Sequence, residues 1–202
     1  AGFGKSVLIN QWINHNQSNY AWISLDENMN DSKIFIVYFI EMLKKAGVED
    51  KKKLKKLLEE HHLLSWEAII SVIINIINEF QHKTILILDD YYLIKNEEIH
   101  QLFETLLKER LSNLQLVIIT RWDPPFKLSK LRLYQEVLEI RMRDLRFDHH
   151  EIAQLLPVDH SMDLSQDDIK QLLIKTEGWI LAIRLVLFAK SVSNFEDKDF
   201  DA

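Results

Sequence analysis

Apolar and polar positions follow two different periods along this chain, and the change between them separates predicted strands from predicted helices. Short, continuous apolar runs occur at 20–25, 84–88 and 114–120, and they are rich in β-branched or aromatic residues. Such runs are typical of strands. The run at 84–88 is continuous and does not alternate, which is typical of a parallel strand that is covered on both faces, and the run at 114–120 is read as another buried strand. Between them, apolar residues recur three and four positions apart, which indicates amphipathic helices. We therefore predict an α/β fold with a parallel sheet and flanking helices.

The predicted helices fill the segments between these strands and then continue alone. One helix follows residue 6, and others are predicted at 32–46, 51–62, 65–77, 96–111 and 128–133, with Ser32 and Ser65 as N-caps. A last strand is predicted at 135–140, and then three helices at 148–156, 165–176 and 179–192, separated by Pro157 and Gly178. This pattern predicts a core at 1–143, a small all-α unit at 144–193 and an acidic, disordered tail at 194–202.

Composition and charge narrow the classes of function. The 202 residues carry a formal net charge of −6, whereas a domain that grips DNA through its phosphates usually has a basic excess, so we expect no direct DNA binding. The chain has no cysteine, which excludes disulfides and thiolate metal sites and suits the cytoplasm. The apolar run at 68–77 is far shorter than the about 20 residues of a membrane span, so we expect no membrane association.

The first six residues, AGFGKS, match the end of a phosphate-binding loop of the form G-x-x-x-x-G-K-[ST]. Glycines let backbone N–H groups surround phosphate oxygens, and the following helix presents its positive N-terminus to them. Lys5 would neutralise the β- and γ-phosphates, and Ser6 would hold Mg²⁺ through its hydroxyl. The residues predicted to bind the nucleotide are Gly2, Phe3, Gly4, Lys5 and Ser6. A Gly-Lys-Ser triplet also occurs by chance, and the helix predicted after it favours the functional interpretation.

Two carboxylates end the second predicted strand. Ligands bind at the carboxyl ends of parallel strands, so an acid at this position can reach a Mg²⁺ ion on a neighbouring phosphate loop. We predict that Asp89 binds Mg²⁺ and that Asp90 positions or polarises the attacking water. The alternative is a pair of solvated acids at the start of a loop. A phosphate loop and such a strand, in this order, occur together by chance less often than either alone.

An arginine follows the third predicted strand. Arg121 could contact the γ-phosphate and act as a sensor, although an arginine at a strand end is more often an ordinary surface charge. The strand that enters a phosphate loop would lie upstream of Ala1, and such a strand is central in sheets of this kind. We therefore expect it to lie between the strands that end at Asp89 and at Thr120.

Four segments resemble one known family. LDDYYLI at 88–94, TRWDPP at 120–125, DLRF at 144–147 and TEGWI at 176–180 are similar to the ATPase domain of the large ATP-dependent LuxR-type transcriptional activators, of the maltose-regulon activator type. These activators belong to the STAND class of P-loop NTPases. The D-P-P, D-L-R-F and E-G-W motifs are the most specific, because nucleotide chemistry alone does not require them.

The resemblance implies a molecular switch rather than a high-turnover enzyme. An ADP-bound resting state would be closed, and a signal at a downstream sensor domain would let ATP replace ADP. The protein would then self-associate, and a C-terminal domain of the same polypeptide would bind DNA. Slow, Mg²⁺-dependent hydrolysis would reset the switch. Members of the STAND class often carry a G-x-P motif whose proline lies against adenine, but Gly178-Trp179-Ile180 has no proline, so the adenine contact stays unassigned.

Two other functions remain open on the sequence alone. One is a motor-type or nucleic-acid-stimulated P-loop ATPase, which the acidic charge disfavours. The other is a degenerate P-loop domain kept for protein–protein contact. The presence of Lys5, Ser6, Asp89, Asp90 and Arg121 argues against degeneration, since a decayed site should have lost one of them.

Overall fold

The computed structural model describes residues 2–16, 19–48, 51–155 and 164–196. Its strands are β1 (Asn19–Ser24), β2 (Thr84–Asp89) and β3 (Leu114–Ile118). Its α-helices are α1 (Lys5–Asn16), α2 (Ser32–Lys45), α3 (Lys51–Glu60), α4 (Trp66–Asn78), α5 (Glu97–Glu109), α6 (Ser129–Leu133), α7 (His149–Gln154), α8 (Gln166–Thr176) and α9 (Ile180–Glu196). Short 3₁₀ helices span Glu27–Asn30, His61–Leu63, Tyr91–Leu93 and Met142–Leu145. The three apolar runs thus form the predicted strands, and the α/β class is confirmed.

Backbone packing divides the chain into two units. One comprises Leu8–Val137, and the other comprises Ala1–Val7 with Leu138–Ala202. The division falls within α1. The described part of the predicted phosphate loop, residues 2–6 (the half-loop), therefore groups with the C-terminal segment, together with Val7. The predicted domain boundaries at 143 and 193 stay a prediction.

The sheet of the Leu8–Val137 unit is parallel, with the order β1-β2-β3. Leu86 pairs with Ala21 of β1 on one side and with Leu116 of β3 on the other. Every residue of β2 is buried. The expectation of a vacant position between the strands ending at Asp89 and Thr120 is therefore wrong. Hydrogen bonds from β1 and β3 occupy both edges of β2, which leaves no space there for a further strand.

Alternation along β2 sends its side chains to two different hydrophobic clusters. Ile85 and Ile87 pack with Ile13 of α1 on one face. Leu86 and Leu88 belong to the larger cluster on the other face, which includes residues of α2, α4 and α5. A strand that is covered on both faces has no polar side, which explains its continuous apolar sequence.

Capping residues explain where several helices begin. The Asp31 side chain accepts hydrogen bonds from the N–H groups of Lys33 and Ile34, so the N-cap of α2 is Asp31 and the prediction of Ser32 is wrong by one position. Ser65 caps α4 as predicted, since its side chain accepts a hydrogen bond from the Ala68 N–H. Each such cap satisfies an N–H group that has no partner within its helix.

The strand predicted at 135–140 is absent from the described structure, and this prediction is wrong. Gln135 has a φ of 56°, a left-handed conformation that ends the turn after α6. Residues 136–140 belong to no helix or strand. The side chain of Leu138 is 86% exposed. The apolar residues of this segment therefore suggested a strand that does not join the sheet β1-β2-β3.

In the second unit, the described elements from residue 142 onward are the 3₁₀ helix Met142–Leu145 and then α7, α8 and α9. These three helices correspond to those predicted at 148–156, 165–176 and 179–192. Its core contains Ile152 of α7, Ile169 and Leu172 of α8 and Ile183 of α9. Helix α9 continues through Glu196, beyond the start predicted for the tail. The rest of the predicted tail, 197–202, and Pro157 lie outside the described residues.

Candidate functional site

The carboxyl end of β2 places two acids in different environments. Asp89 is 8% exposed, and its backbone C=O accepts a hydrogen bond of 2.9 Å from the Leu25 N–H after β1. One carboxylate oxygen of Asp89 accepts a hydrogen bond of 2.9 Å from the Asp90 N–H. The side chain of Asp90 is exposed. A fixed, nearly buried carboxylate therefore lies beside a solvent-facing one.

Backbone hydrogen bonds join the tips of β2 and β3 beyond the ends of the strands. Ile119 donates its N–H to the Leu88 C=O at 2.9 Å, and Tyr91 donates its N–H to the Ile119 C=O at 3.0 Å. Asp90 lies between these two bonds and has φ 56° and ψ 36°. This left-handed turn redirects the chain into the 3₁₀ helix Tyr91–Leu93, so that the segment after β2 runs beside the segment after β3.

Arg121 lies at this same edge, against the ring of Tyr92. The Arg121 guanidinium carbon is 4.3 Å from the centre of the Tyr92 ring. Trp122 approaches that ring edge-on, with ring centres 5.4 Å apart and an interplanar angle of 75°. No ion pair joins Arg121 to a carboxylate within the described ranges. Its N–H donors are therefore available for an anion.

A buried polar pair lies beneath this edge. Tyr91 Oη and His100 Nδ1 are 2.8 Å apart and share a hydrogen bond. The two side chains are 1% and 6% exposed, and both contact the ring of Phe126. Burial raises the pKa of Tyr91 and lowers the pKa of His100, because both charged forms would be poorly solvated. The pair is thus neutral, and it ties the Tyr91–Leu93 turn to α5.

The half-loop is described within the other unit. Gly2 and Gly4 both have a φ of 76°, and α1 begins at Lys5. The ring of Phe3 stacks on Trp179 with ring centres 6.1 Å apart. A Cβ atom on Gly2 would lie 2.9 Å from the indole nitrogen of Trp179, so only glycine fits there. Ala1 lies outside the described residues.

The structure thus brings three of the predicted site residues, Asp89, Asp90 and Arg121, to one edge of the sheet. The predicted loop residues Gly2, Phe3, Gly4, Lys5 and Ser6 are described with the helical segment instead. Tyr92 and Trp179 were not predicted as site residues. Both lie within motifs that carry the family resemblance, LDDYYLI at 88–94 and TEGWI at 176–180. Their place in these motifs was the one feature of the sequence that could have singled them out.

Each unit, taken by itself, contains residue types that bind phosphate or a divalent cation in proteins. Consecutive N–H groups near two left-handed glycines, followed by a helix N-terminus, form an anion-binding concavity. In the part of the chain that the structure describes, no cluster of three or more metal-binding side chains occurs. Mg²⁺ in phosphoryl-transfer sites needs few protein ligands, since phosphates and water supply the others. Within each unit taken by itself, the predicted metal ligand is Ser6 in the half-loop and Asp89 at the end of β2.

Comparison with known proteins points to one kind of regulator. The chain is 34% identical over 194 residues to the HTH-type transcriptional regulator MalT of Yersinia pestis, which covers 96% of this chain and 21% of that protein. MalT of Yersinia enterocolitica is 31% identical over the same shares. No family model matches the chain. The chain is thus similar to one segment of the MalT regulators and spans 21% of their length.

None of the described helices combines the length and the hydropathy that a membrane span requires.

Proposed function

We propose that this chain is the ATP- and ADP-binding switch module of a signal-responsive bacterial transcriptional activator, in which slow hydrolysis resets the switch. The observation that carries the proposal is the edge where Asp89, Asp90 and Arg121 follow two paired parallel strands. An edge of this kind is where parallel α/β sheets bind ligands. Two acids and a cation there match the chemistry of a Mg²⁺-nucleotide.

Each side chain at the edge has an environment suited to one role. Asp89 is held by the hydrogen bond to the Asp90 N–H, and a fixed carboxylate suits a Mg²⁺ ligand, directly or through water. Asp90 is exposed and would position the attacking water. Arg121 has its guanidinium donors available and would report the γ-phosphate. ATP and ADP would then differ mainly in their contact with Arg121.

The half-loop supplies the second support. Gly2 and Gly4 have the left-handed conformation that turns backbone N–H groups to one side, and Lys5 and Ser6 open α1. In the proposed function, Lys5 neutralises the β- and γ-phosphates, while Ser6 contributes a hydroxyl to Mg²⁺. Phe3 completes the loop by packing on Trp179.

The relatives suggest where the remaining functions lie. This chain spans 21% of the length of the MalT regulators that it matches. We propose that sensing and DNA binding belong to further domains of the same polypeptide, and that the ATP state self-associates in the cytoplasm. The net charge of −6 is consistent with DNA binding elsewhere, because phosphate contacts favour basic surfaces.

Calorimetric titration of the intact protein with Mg²⁺-ATP and Mg²⁺-ADP tests the proposal. We expect both nucleotides to bind and Lys5→Ala to weaken ATP binding by roughly tenfold to more than a hundredfold, the size of a lost charged hydrogen bond. Lys83→Ala is the matched control, because Lys83 is exposed and precedes the amino end of β2, opposite the proposed site. Unchanged ATP affinity in Lys5→Ala would refute the loop assignment.

Hydrolysis distinguishes the proposed switch from a motor. A switch should turn over ATP slowly, with no stimulation by DNA or RNA. Rapid turnover that nucleic acid accelerates would favour the motor-type alternative. Absence of nucleotide binding in the unaltered protein would favour a degenerate domain that serves protein–protein contact.

A further inference from the structure

The ring of Tyr92 lies between two consecutive residues of the segment after β3. Arg121 lies over its face at 4.3 Å, and Trp122 meets its edge with ring centres 5.4 Å apart. The Thr120 hydroxyl donates a hydrogen bond of 2.9 Å to the Trp122 C=O, which fixes the turn that carries both residues. One aromatic side chain from the tip of β2 is thus held by two side chains from the tip of β3.

The backbone that carries Tyr92 is anchored on either side. Tyr91 donates its N–H to the Ile119 C=O at 3.0 Å, and its hydroxyl pairs with His100. The Leu93 C=O accepts a hydrogen bond of 2.9 Å from the Asn30 side chain. The 3₁₀ helix Tyr91–Leu93 therefore cannot shift without breaking these bonds. Tyr92 projects from a fixed support, whereas Arg121 lies on an exposed loop.

From this geometry we propose that Tyr92 is the positioning residue for Arg121. The electron-rich ring face holds the guanidinium by a cation–π contact and limits the conformations of a long side chain. A flat guanidinium on a ring keeps its N–H donors in its own plane, where an anion can approach them. The inference rests on the proposed function, in which Arg121 distinguishes ATP from ADP.

The consequence is a link between the two strand tips. Asp90 and Tyr92 belong to the same short turn after β2, so the acid that would orient water and the ring that orients Arg121 share one support. A rearrangement of that turn would displace both. Tyr92 itself touches no reacting atom in this proposal and acts only through Arg121.

Affinities for Mg²⁺-ATP and Mg²⁺-ADP test the inference in the intact protein. Tyr92→Leu should weaken ATP binding about two- to fivefold, the size of a partly exposed cation–π contact, and leave ADP binding unchanged. Tyr92→Phe keeps the ring and should retain the unaltered affinity. In an Arg121→Ala background, Tyr92→Leu should have no further effect, because the residue that it positions is gone.

The chain offers a matched control. Arg110 lies 5.1 Å from the centre of the Tyr134 ring, a second cation–π pair in the same unit. Tyr134→Leu should leave the affinities for both nucleotides unchanged. If Tyr134→Leu and Tyr92→Leu lower ATP affinity equally, the effect is a general loss of stability, and the positioning role is refuted.

Modification by an arginine-selective dicarbonyl reagent, mapped by mass spectrometry, tests the contact without nucleotide. Tyr92→Leu should increase the labelling of Arg121, Tyr92→Phe should not, and Tyr134→Leu should increase only that of Arg110. If Arg121→Ala leaves the ATP-to-ADP affinity ratio unchanged, the proposed function of Arg121 fails. If Arg121→Ala lowers that ratio but Tyr92→Leu changes neither ratio nor labelling, only the positioning role fails.

Discussion

The hydrogen bond between Tyr91 and His100 can be used to test what stabilises the turn at the carboxyl end of β2. The two atoms are 2.8 Å apart, and the side chains are 1% and 6% exposed. Tyr91→Phe removes one oxygen atom and keeps the ring that contacts Phe103 and Phe126. Packing is therefore conserved, and the change isolates the polar contact.

The cost follows from the partner that is left behind. Nδ1 of His100 would stay buried without its hydrogen bond, and an unsatisfied buried polar group costs about 1–3 kcal/mol. His100→Leu should have a cost of similar size, since it strands the Tyr91 hydroxyl. The double variant leaves no stranded group, so its cost should be smaller than the sum by about 1 kcal/mol or more.

His100 and Tyr91 should each make the stability of the fold depend on pH in a different range. Burial lowers the pKa of His100 from 6.5, although Glu97 and Glu104 oppose this shift. The unfolded state then binds a proton that the folded state does not, so stability falls as the pH drops below about 6.5. Burial raises the pKa of Tyr91 above 10.0, and the negative charges of Glu104 and Glu97 raise it further. Stability therefore also falls as the pH rises above about 10.

Equilibrium urea unfolding from pH 5 to pH 11 measures both effects. His100→Leu should remove the loss of stability at acid pH that comes from this residue, and Tyr91→Phe should reduce the loss at alkaline pH. Both variants should be less stable than the unaltered protein at pH 8. The reasoning is refuted if Tyr91→Phe has unaltered stability at pH 8, or if the two costs are simply additive.

Two further comparisons of variants test backbone conformation. Gly178→Ala should lower stability by more than the about 1–2 kcal/mol of a left-handed alanine, because a Cβ there would lie 2.5 Å from the Phe147 C=O oxygen. In Gly47→Ala the nearest atom is 4.0 Å away, so that variant should show the conformational cost alone in thermal unfolding, and equal losses would contradict the clash. At Asp90, alanine should be about 1 kcal/mol less stable than asparagine, which tolerates the left-handed region; equal urea midpoints would contradict strain at this turn.

Strand β2 was predictable because a strand that is buried on both faces has a continuous apolar sequence. The residues of β2 are apolar from Ile85 to Leu88 and end in an acid, and the structure buries all of them. The hydrogen-bonded order of the strands was not predictable in the same way. Apolar runs show that strands are covered, but they do not show which edges meet, and so the expected vacancy beside β2 was wrong.

The prediction of a strand at 135–140 was wrong for a related reason. Its apolar residues suggested a strand, yet Gln135 adopts a left-handed turn and Leu138 stays exposed. Strand propensity reflects a fit to a pleated, half-buried surface rather than a property of the backbone alone. In the structure, residues 136–140 join no sheet and form an irregular connection.

At the candidate site, sequence order predicted the acids and the arginine but not the residues that support them. Asp89 and Arg121 each directly follow a predicted strand, and Asp90 is the next residue after Asp89, so the sequence placed all three at strand ends. Their roles in binding stay a prediction. The pairing of Tyr91 with His100 joins a strand tip to a helix, and the stacking of Arg121 on Tyr92 joins two loops. Neither pair has a sequence spacing that would indicate contact, so only the fold reveals them.

The residues with positive φ values show that the turn after β2 differs from an ordinary strand end. Among the described residues other than glycine, Asp90, Arg110, Gln135 and Glu177 have positive φ values. Arg110 and Glu177 end α5 and α8, and Gln135 follows α6, where this conformation is a common way to stop a helix. Asp90 instead interrupts the passage from a buried strand. Its turn lets the Asp90 side chain face solvent while Tyr91 turns into the core, so local strain there serves to separate an exposed acid from the buried pair that supports it.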